Sequence, residues 1–179
     1  MLNDPIAYAD QLLAASVVND GTLNLPVDLE KVVAPLGIEI FAREDLTPDQ
    51  SPQIGIADKD PNAAAIFVSA GEPHAEQTPK IGGALAALLV LPEDESKSLE
   101  ERLAQPVGDE EVAWSHAFVS ELLVPAGTVA EQWQSVAHAP NTVRDAVVEL
   151  AGRYAVSEAF MAERLIGLGI LQTSEDDQA

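Results

Sequence analysis

Few side chains in this 179-residue sequence could hold a metal ion or act as a nucleophile, apart from the many carboxylates. There are three histidines, His74, His116 and His138, and no cysteine. No two of the histidines have the spacing that puts both imidazoles on one helix face. A hydrolytic zinc site needs three protein ligands and one position open to water. His74, His116, Glu110 and Glu111 would provide these ligands only if folding brought them together, which the sequence leaves open.

An apolar segment, residues 81–91, dominates the middle of the chain. Pro79 precedes it and Pro92 follows it. Because proline is tolerated in the first turn of a helix, we predict a helix that begins near residues 76–78 and ends before Pro92. Its residues are apolar on every side, which predicts a helix buried all round. Gly82 and Gly83 each cost about 1 kcal/mol relative to alanine inside a helix, so we expect a close neighbour at both.

The same region, residues 72–89, resembles without a gap the segment of the ImmA/IrrE peptidase family that leads into its H-E-x-x-H zinc helix. In such a motif two imidazoles four residues apart bind zinc, and the glutamate between them activates the attacking water. Here the five motif positions are Gly83, Ala84, Leu85, Ala86 and Ala87. Glycine and alanine can neither bind the metal nor activate water.

Three further blocks resemble the family in the same order. Residues 25–40 are similar to its opening helix and first strand, and residues 150–169 to its closing helix-turn-helix-like pair. The sequence Phe-Val-Ser-Glu-Leu-Leu-Val-Pro at residues 118–125 resembles a stretch that ends in leucine, leucine, an apolar residue and proline.

The family's third metal ligand is a glutamate shortly before that phenylalanine. Glu110 and Glu111 are the nearest matches, with a spacing to Phe118 about one residue longer than the family's. His116 stands where the family has asparagine or aspartate. One carboxylate cannot hold zinc by itself, so the resemblance carries over the fold and not the activity.

The resemblance therefore implies an α+β fold, with a small three-stranded sheet packed against a mostly helical, zincin-like domain. We expect one domain over residues 1–171, with a C-terminal helix pair at about residues 141–168 and a disordered tail at residues 172–179. With Gly83, Ala84 and Ala87 at the motif positions, we assign no catalytic, cofactor-binding or metal-ligating residue and no cofactor, and we lean against an enzyme.

The chain carries 30 acidic and 9 basic residues, a formal net charge of −21. Such a surface repels phosphate backbones and anionic membranes, so we expect no direct binding of nucleic acid or membrane. The N-terminus lacks the basic start and apolar core of a secretory signal. The apolar run of residues 81–91 is shorter than the roughly 20 residues that cross a bilayer. These observations predict a cytoplasmic protein.

Periodicity and cap residues predict the remaining elements. Asp4 begins a helix over residues 5–18, and Asp28 begins a second helix that Gly37 ends. We predict strands at residues 38–42, 54–57 and 64–69, turns at 47–52 and 58–62, a mobile loop at 93–108, and helices at 110–123, 129–135, 141–154 and 157–168. Trp114 and Trp133 fit core positions better than partner contacts.

The last two helices have the spacing of a DNA-reading helix-turn-helix. The second of them offers Arg164 against Glu158 and Glu163. Because reading DNA requires cations for phosphates and donors for bases, packing against the core is the better interpretation.

We predict a catalytically inactive ImmA/IrrE-like pseudopeptidase that acts as a protein-binding or regulatory module. Active family members act on helix-turn-helix repressors, so the resemblance implies a protein partner of that class. The alternatives are a metal-dependent peptidase whose site has moved to His74, His116 and the glutamates at 110 and 111, an acidic mimic of DNA, and an assembly subunit.

Overall fold

The structure, a computed structural model, describes residues 4–14, 23–57, 60–91, 97–137 and 142–172. These residues form eight α-helices and one three-stranded sheet, which confirms the α+β class. The strands are β1 (Glu39–Arg43), β2 (Gln53–Ala57) and β3 (Asp60–Ser69). The helices are α1 (Pro5–Ala14), α2 (Leu29–Val33), α3 (His74–Leu89), α4 (Leu99–Leu103), α5 (Asp109–Leu123), α6 (Ala126–Val136), α7 (Val143–Tyr154) and α8 (Glu158–Gly167).

The sheet has β3 at its centre, with β1 parallel to it on one side and β2 antiparallel to it on the other. Ile66 stands in register between Ile40 and Ile54, so three β-branched side chains share one face. Ile66 is fully buried in the same core cluster as residues of α3. On the opposite face the rings of Phe41 and Phe67 stack, with centroids 5.7 Å apart.

All three predicted strands exist, but β3 begins earlier than predicted. The pairing of β2 with β3 shifts at a bulge between Ile56 and Ala57, and beyond it Ala57 pairs with Asp60. Residues 60–62, predicted as part of a turn, therefore belong to β3 because the bulge extends the ladder.

The signals at both ends of the second predicted helix are confirmed. The Asp28 carboxylate accepts a hydrogen bond from the Lys31 backbone N–H at 3.2 Å and caps α2. A side-chain hydrogen bond and ion pair with the Lys31 ammonium lower the pKa of Asp28. A 3-10 turn, Ala34–Leu36, follows and ends at Gly37, whose φ of +69° lies in the left-handed region that glycine favours.

The start predicted for the central helix is wrong by more than half a turn. α3 begins at His74, which places Pro79 inside the helix instead of in its first turn. The extra turn is held by side chains: Gln77 Nε2 donates to the carbonyls of Ser69 and Glu72, at 2.7 and 2.9 Å. Thr78 Oγ1 donates to the His74 carbonyl at 2.8 Å. The two bonds from Gln77 tie the first turn of α3 to the end of β3 and the turn after it, and so stabilise the helix start that precedes Pro79.

Helix α5 is the centre of the helical layer, and α1 and α3 both pack against it. Its Phe118 is fully buried, and the Trp114 ring stacks on the Phe118 ring with centroids 5.0 Å apart. The core position predicted for Trp114 is confirmed, while Trp133 on α6 is half-buried against the core.

The C-terminal helix pair is confirmed within two residues at each end. Thr142 and Ser157 cap α7 and α8 through their hydroxyls, and Ala155 between them adopts φ +50°. The predicted loop of residues 93–108 is wrong in part, because it contains α4. Ser98 and Glu101 form a reciprocal capping box there, with bonds of 3.2 and 2.8 Å. This pair is a helix start signal, but the charged composition of the segment led to the prediction of a loop.

Several predicted features fall outside the described residues: the end of the first helix, residues 58–59 of a turn, residues 93–96 of the loop, His138, and residues 173–179 of the tail. Within the described ranges, every helix is too short or too polar to cross a bilayer.

Candidate functional site

The positions that the resemblance aligns with the zinc motif lie on α3, and two of them are on its open face. Gly83 is exposed and Ala87 is half-buried. They are four residues apart and therefore point in the same direction, one turn apart along the helix. Ala84 is buried, with 4% of its surface exposed, and faces the core. The prediction that α3 is buried all round is therefore wrong, because its residues are apolar or small on every side but only one side is covered.

The two neighbouring glycines of α3 have opposite surroundings. A Cβ atom on Gly82 would lie 3.1 Å from Val119 Cγ1 and 3.5 Å from Leu123 Cδ1 of α5. A Cβ atom on Gly83 would meet nothing within 4 Å. The expected close neighbour is confirmed at Gly82 and wrong at Gly83, because successive residues point about 100° apart around a helix.

Lys80 marks the N-terminal end of this open face, one turn before Gly83. Its Nζ lies 2.5 Å from Glu72 Oε1 and 2.9 Å from the carbonyl oxygen of Pro48. The Glu72 carboxylate is almost fully buried, with 6% of the side chain exposed. Lys80 thus joins α3 to the turn that follows β3 and to the 3-10 turn between β1 and β2, and it is occupied by these structural contacts.

Glu111 lies near the C-terminal end of α3. It lines a small pocket together with Val90 and Leu91, the residues that follow α3. Since Gly82 faces Val119 and Leu123 while the end of α3 faces Glu111, the two helices run antiparallel. Glu111 is one of the two residues that the resemblance matches to the third metal ligand, and it lies beside the residues that follow α3.

Glu111 also has an ordinary structural role. It is the third residue of α5, and its carboxylate lies over Gly108, the residue that caps that helix. A carboxylate in the first turn of a helix is stabilised by the unpaired N–H groups there. Glu110 and His116 are exposed on the same helix.

The structure does not bring the four predicted alternative ligands together. His74 is the first residue of α3 and Glu111 lies beside its last turn, so they are roughly 24 Å apart at about 1.5 Å of rise per residue. Across the described ranges, no group of three histidine, aspartate or glutamate side chains is placed to hold a metal ion.

A second concave feature, absent from the sequence predictions, lies between the sheet and the start of α3. This cavity, which we call the β1 cavity, has a volume of about 410 Å³. It is lined by Pro26, Val27, Asp28, Leu29, Glu30, Ile40, Ala42, Val68, His74, Gln77, Thr78 and Ile81. Its lining comes from four segments that are far apart in the chain, and no periodicity within one segment could have indicated it.

The most buried charges of the helical layer form an ion pair away from both features. The Glu121 carboxylate pairs with the Arg164 guanidinium, and 8% and 14% of these side chains are exposed. Glu121 Oε1 also accepts a hydrogen bond from the Ala126 backbone N–H at 3.0 Å, and Arg164 Nε donates to the Val124 carbonyl at 3.0 Å. Arg164, the one basic residue of α8, therefore anchors the helix pair to α5. Its guanidinium is engaged in these buried contacts and does not form a basic surface for DNA.

Comparison with protein-family models gave no match, and comparison with curated proteins gave none either.

Proposed function

We propose that this chain is a non-catalytic protein-binding module built on an ImmA/IrrE-type peptidase scaffold, with a zincin-like arrangement of sheet and helices. The observation that carries the proposal is the open face of α3. Gly83 and Ala87 stand one turn apart on that face, and neither has a side chain that binds metal. Glu111 lies beside the residues that follow α3.

The chemistry of zinc hydrolysis supports the non-catalytic part. A catalytic zinc ion needs three protein ligands and a bound water that a neighbouring base activates. At the three corresponding places this chain has hydrogen, methyl and one carboxylate. A single carboxylate in contact with solvent does not retain zinc at micromolar concentration.

Charge supports the binding part. At a net charge of −21 the molecule attracts basic surfaces and repels nucleic acid. A helix-turn-helix repressor is a protein with a basic surface, and this is the partner class that the resemblance implies. We therefore keep a repressor of that kind as the proposed partner, and the cytoplasm as the proposed location.

The decisive experiment compares zinc content in the native chain and in a chain with the two imidazoles restored. Purified protein is incubated with zinc, desalted and analysed for metal. We expect less than about 0.1 zinc per native chain, and about one per chain for the Gly83→His/Ala87→His variant, because that variant completes a three-ligand set with Glu111. Gly83 offers open space for the new side chain.

Two controls sharpen the result. Adding Glu111→Gln to the restored variant is expected to lower its zinc affinity by about tenfold or more, since the third ligand loses its charge. His116→Ala in the native chain is expected to change nothing. Stoichiometric zinc in the native chain, or cleavage of a repressor by it, would overturn the non-catalytic assignment. A folded restored variant that binds no zinc would overturn the peptidase-scaffold assignment.

A further inference from the structure

The outer edge of β1 has free backbone groups. β1 pairs only with β3, and in the described part of the chain no other strand lies on its far side. The Ala70 N–H donates to the Arg43 carbonyl at 2.9 Å, so Arg43 directs its backbone groups toward β3. In a parallel ladder alternate residues face the same neighbour, so Ile40 and Ala42 direct their N–H and C=O groups outward.

The β1 cavity opens at this same edge. Ile40 and Ala42 are in register with Ile66 and Val68 of β3 and point to the core side of the sheet. Ile66 and Val68 are buried, with exposures of 0 and 2%, whereas Ile40 is half-buried and Ala42 is exposed. A strand added next to β1 would place its own alternate side chains over the uncovered apolar lining.

The charges around this edge select a basic occupant. Glu30 lines the cavity and is exposed, and Glu39 and Glu44 stand exposed at either end of β1. The nearby cations are engaged, since Lys31 pairs with Asp28 and Arg43 with Asp45. Two copies of a chain with a net charge of −21 repel each other, which disfavours a second copy as the occupant.

We propose that a basic, extended peptide segment of a protein partner pairs with the outer edge of β1 and places an apolar side chain in the β1 cavity. The backbone bonds hold the segment, the cavity selects an aliphatic residue, and the rim glutamates select lysine or arginine beside it. This inference rests on the proposed protein-binding function and adds the chemistry and the place of the partner.

The probe for the test is a short, end-blocked, fluorescent peptide that alternates lysine with valine, and its twin has glutamate in place of lysine. Binding to the full chain is measured by fluorescence anisotropy at low salt. We expect the lysine peptide to bind about tenfold or more tightly than the glutamate twin. We expect a lysine peptide with N-methyl groups on alternate backbone nitrogens to lose about tenfold, because it cannot complete the ladder.

Two comparisons locate the site: Ala42→Pro against the native chain, and Glu30→Lys against Glu163→Lys. Ala42→Pro removes an outward N–H and leaves the β1–β3 ladder intact, and we expect it to weaken the lysine peptide about tenfold. Glu30→Lys is expected to weaken it about fivefold, whereas Glu163→Lys, which changes the net charge equally on the exposed face of α8, is expected to weaken it less than about twofold. Circular dichroism checks that each variant is folded.

Equal binding of the methylated and unmethylated peptides, or of the lysine and glutamate twins, would overturn the inference. So would self-association of the chain that Ala42→Pro abolishes, because the occupant would then be a second copy. Mass spectrometry of the peptide after incubation separates the two proposals: a cleaved peptide contradicts the non-catalytic function, and an intact peptide that does not bind contradicts only the strand-edge site.

Discussion

The two sides of α3 differ more than their sequences do. Gly82 faces α5 so closely that a methyl group would press on Val119, while Gly83 faces open space. Beyond Gly82 the packing continues through Phe118 and Leu122, both with zero exposure. On the side of Gly83 the side chains are small and only partly covered, with Gly83 exposed and Ala87 half-buried. The same residue type therefore serves close packing on one side and leaves a gap on the other.

This contrast separates the side of α3 that contributes to stability from the side that does not. The covered side of α3 determines stability, so its residues are constrained by volume. The open side contributes little to stability, so we expect substitutions there to leave the fold intact. Substitutions at buried and at exposed positions can test this division between covered and open surfaces.

The largest effect is expected from the buried ion pair that anchors α8 to α5. Arg164→Met leaves the Glu121 carboxylate buried without its partner, and we expect a loss of about 3–5 kcal/mol in the free energy of unfolding. Urea denaturation followed by circular dichroism measures it. The exposed pair of Arg153 and Glu149 provides the control, and Arg153→Met is expected to cost less than about 1 kcal/mol. Equal losses in the two variants would show that burial of the pair is irrelevant.

Substitutions of the two glycines form a matched pair, and we expect them to change the free energy of unfolding by an intermediate amount. Gly82→Leu forces a large side chain against Val119 and Leu123, and we expect a loss of about 1–3 kcal/mol. Gly83→Leu extends into open space and gains helix propensity, so we expect a rise of up to about 0.8 kcal/mol. Thermal unfolding of both variants beside the native chain gives the answer. A Gly83→Leu variant less stable than the native chain would remove the distinction between the two sides.

The smallest effect is expected at Tyr154, a buried residue of α7. Tyr154 has 1% of its surface exposed, and its hydroxyl has no hydrogen-bond partner among the described residues. Tyr154→Phe removes this unsatisfied group, so we expect unchanged stability or a gain of up to about 1 kcal/mol in urea denaturation near neutral pH. A loss of more than about 1 kcal/mol would indicate that the hydroxyl has a partner.

The same residue gives a pH test with a defined sign. Burial raises the pKa of Tyr154 from 10.0 to about 12. Between these values the unfolded chain releases the proton while the folded chain keeps it, so stability falls as pH rises through this range. We expect the native chain to lose stability between about pH 10 and pH 12 more steeply than Tyr154→Phe. If the free energy of unfolding falls equally with pH in the two proteins, the result would contradict the burial of an ionisable hydroxyl.

Local signals predicted the elements well where one residue decides a boundary. The Asp28 cap, the Gly37 stop and the break between α7 and α8 are each fixed by neighbours in sequence, and the sequence was sufficient for them. The prediction from Pro79 was wrong because Gln77, in the first turn of α3, donates to the carbonyls of Ser69 and Glu72 outside the helix and so stabilises a turn before the proline. α4 was missed because its capping box lies in a highly charged stretch.

The candidate site was predictable only in part. The proposal that α3 performs no zinc chemistry rests on the residue types at positions 83, 84 and 87, and it stays a prediction. Which of two adjacent glycines is covered depends on the rotation of α3 against α5, a tertiary property. The β1 cavity depends on the meeting of α2, β1, β3 and α3, and nothing within one segment indicates it.

The unpaired edge of β1 has one more consequence, for handling the protein in solution. An edge strand is kept from joining its copies by charge and by short length, and here β1 has only five residues. As the solution is acidified toward about pH 4, carboxylates gain protons and the mutual repulsion between molecules disappears. The strand then becomes a template for neighbouring copies, so we expect precipitation or fibril growth in mild acid before the helices unfold.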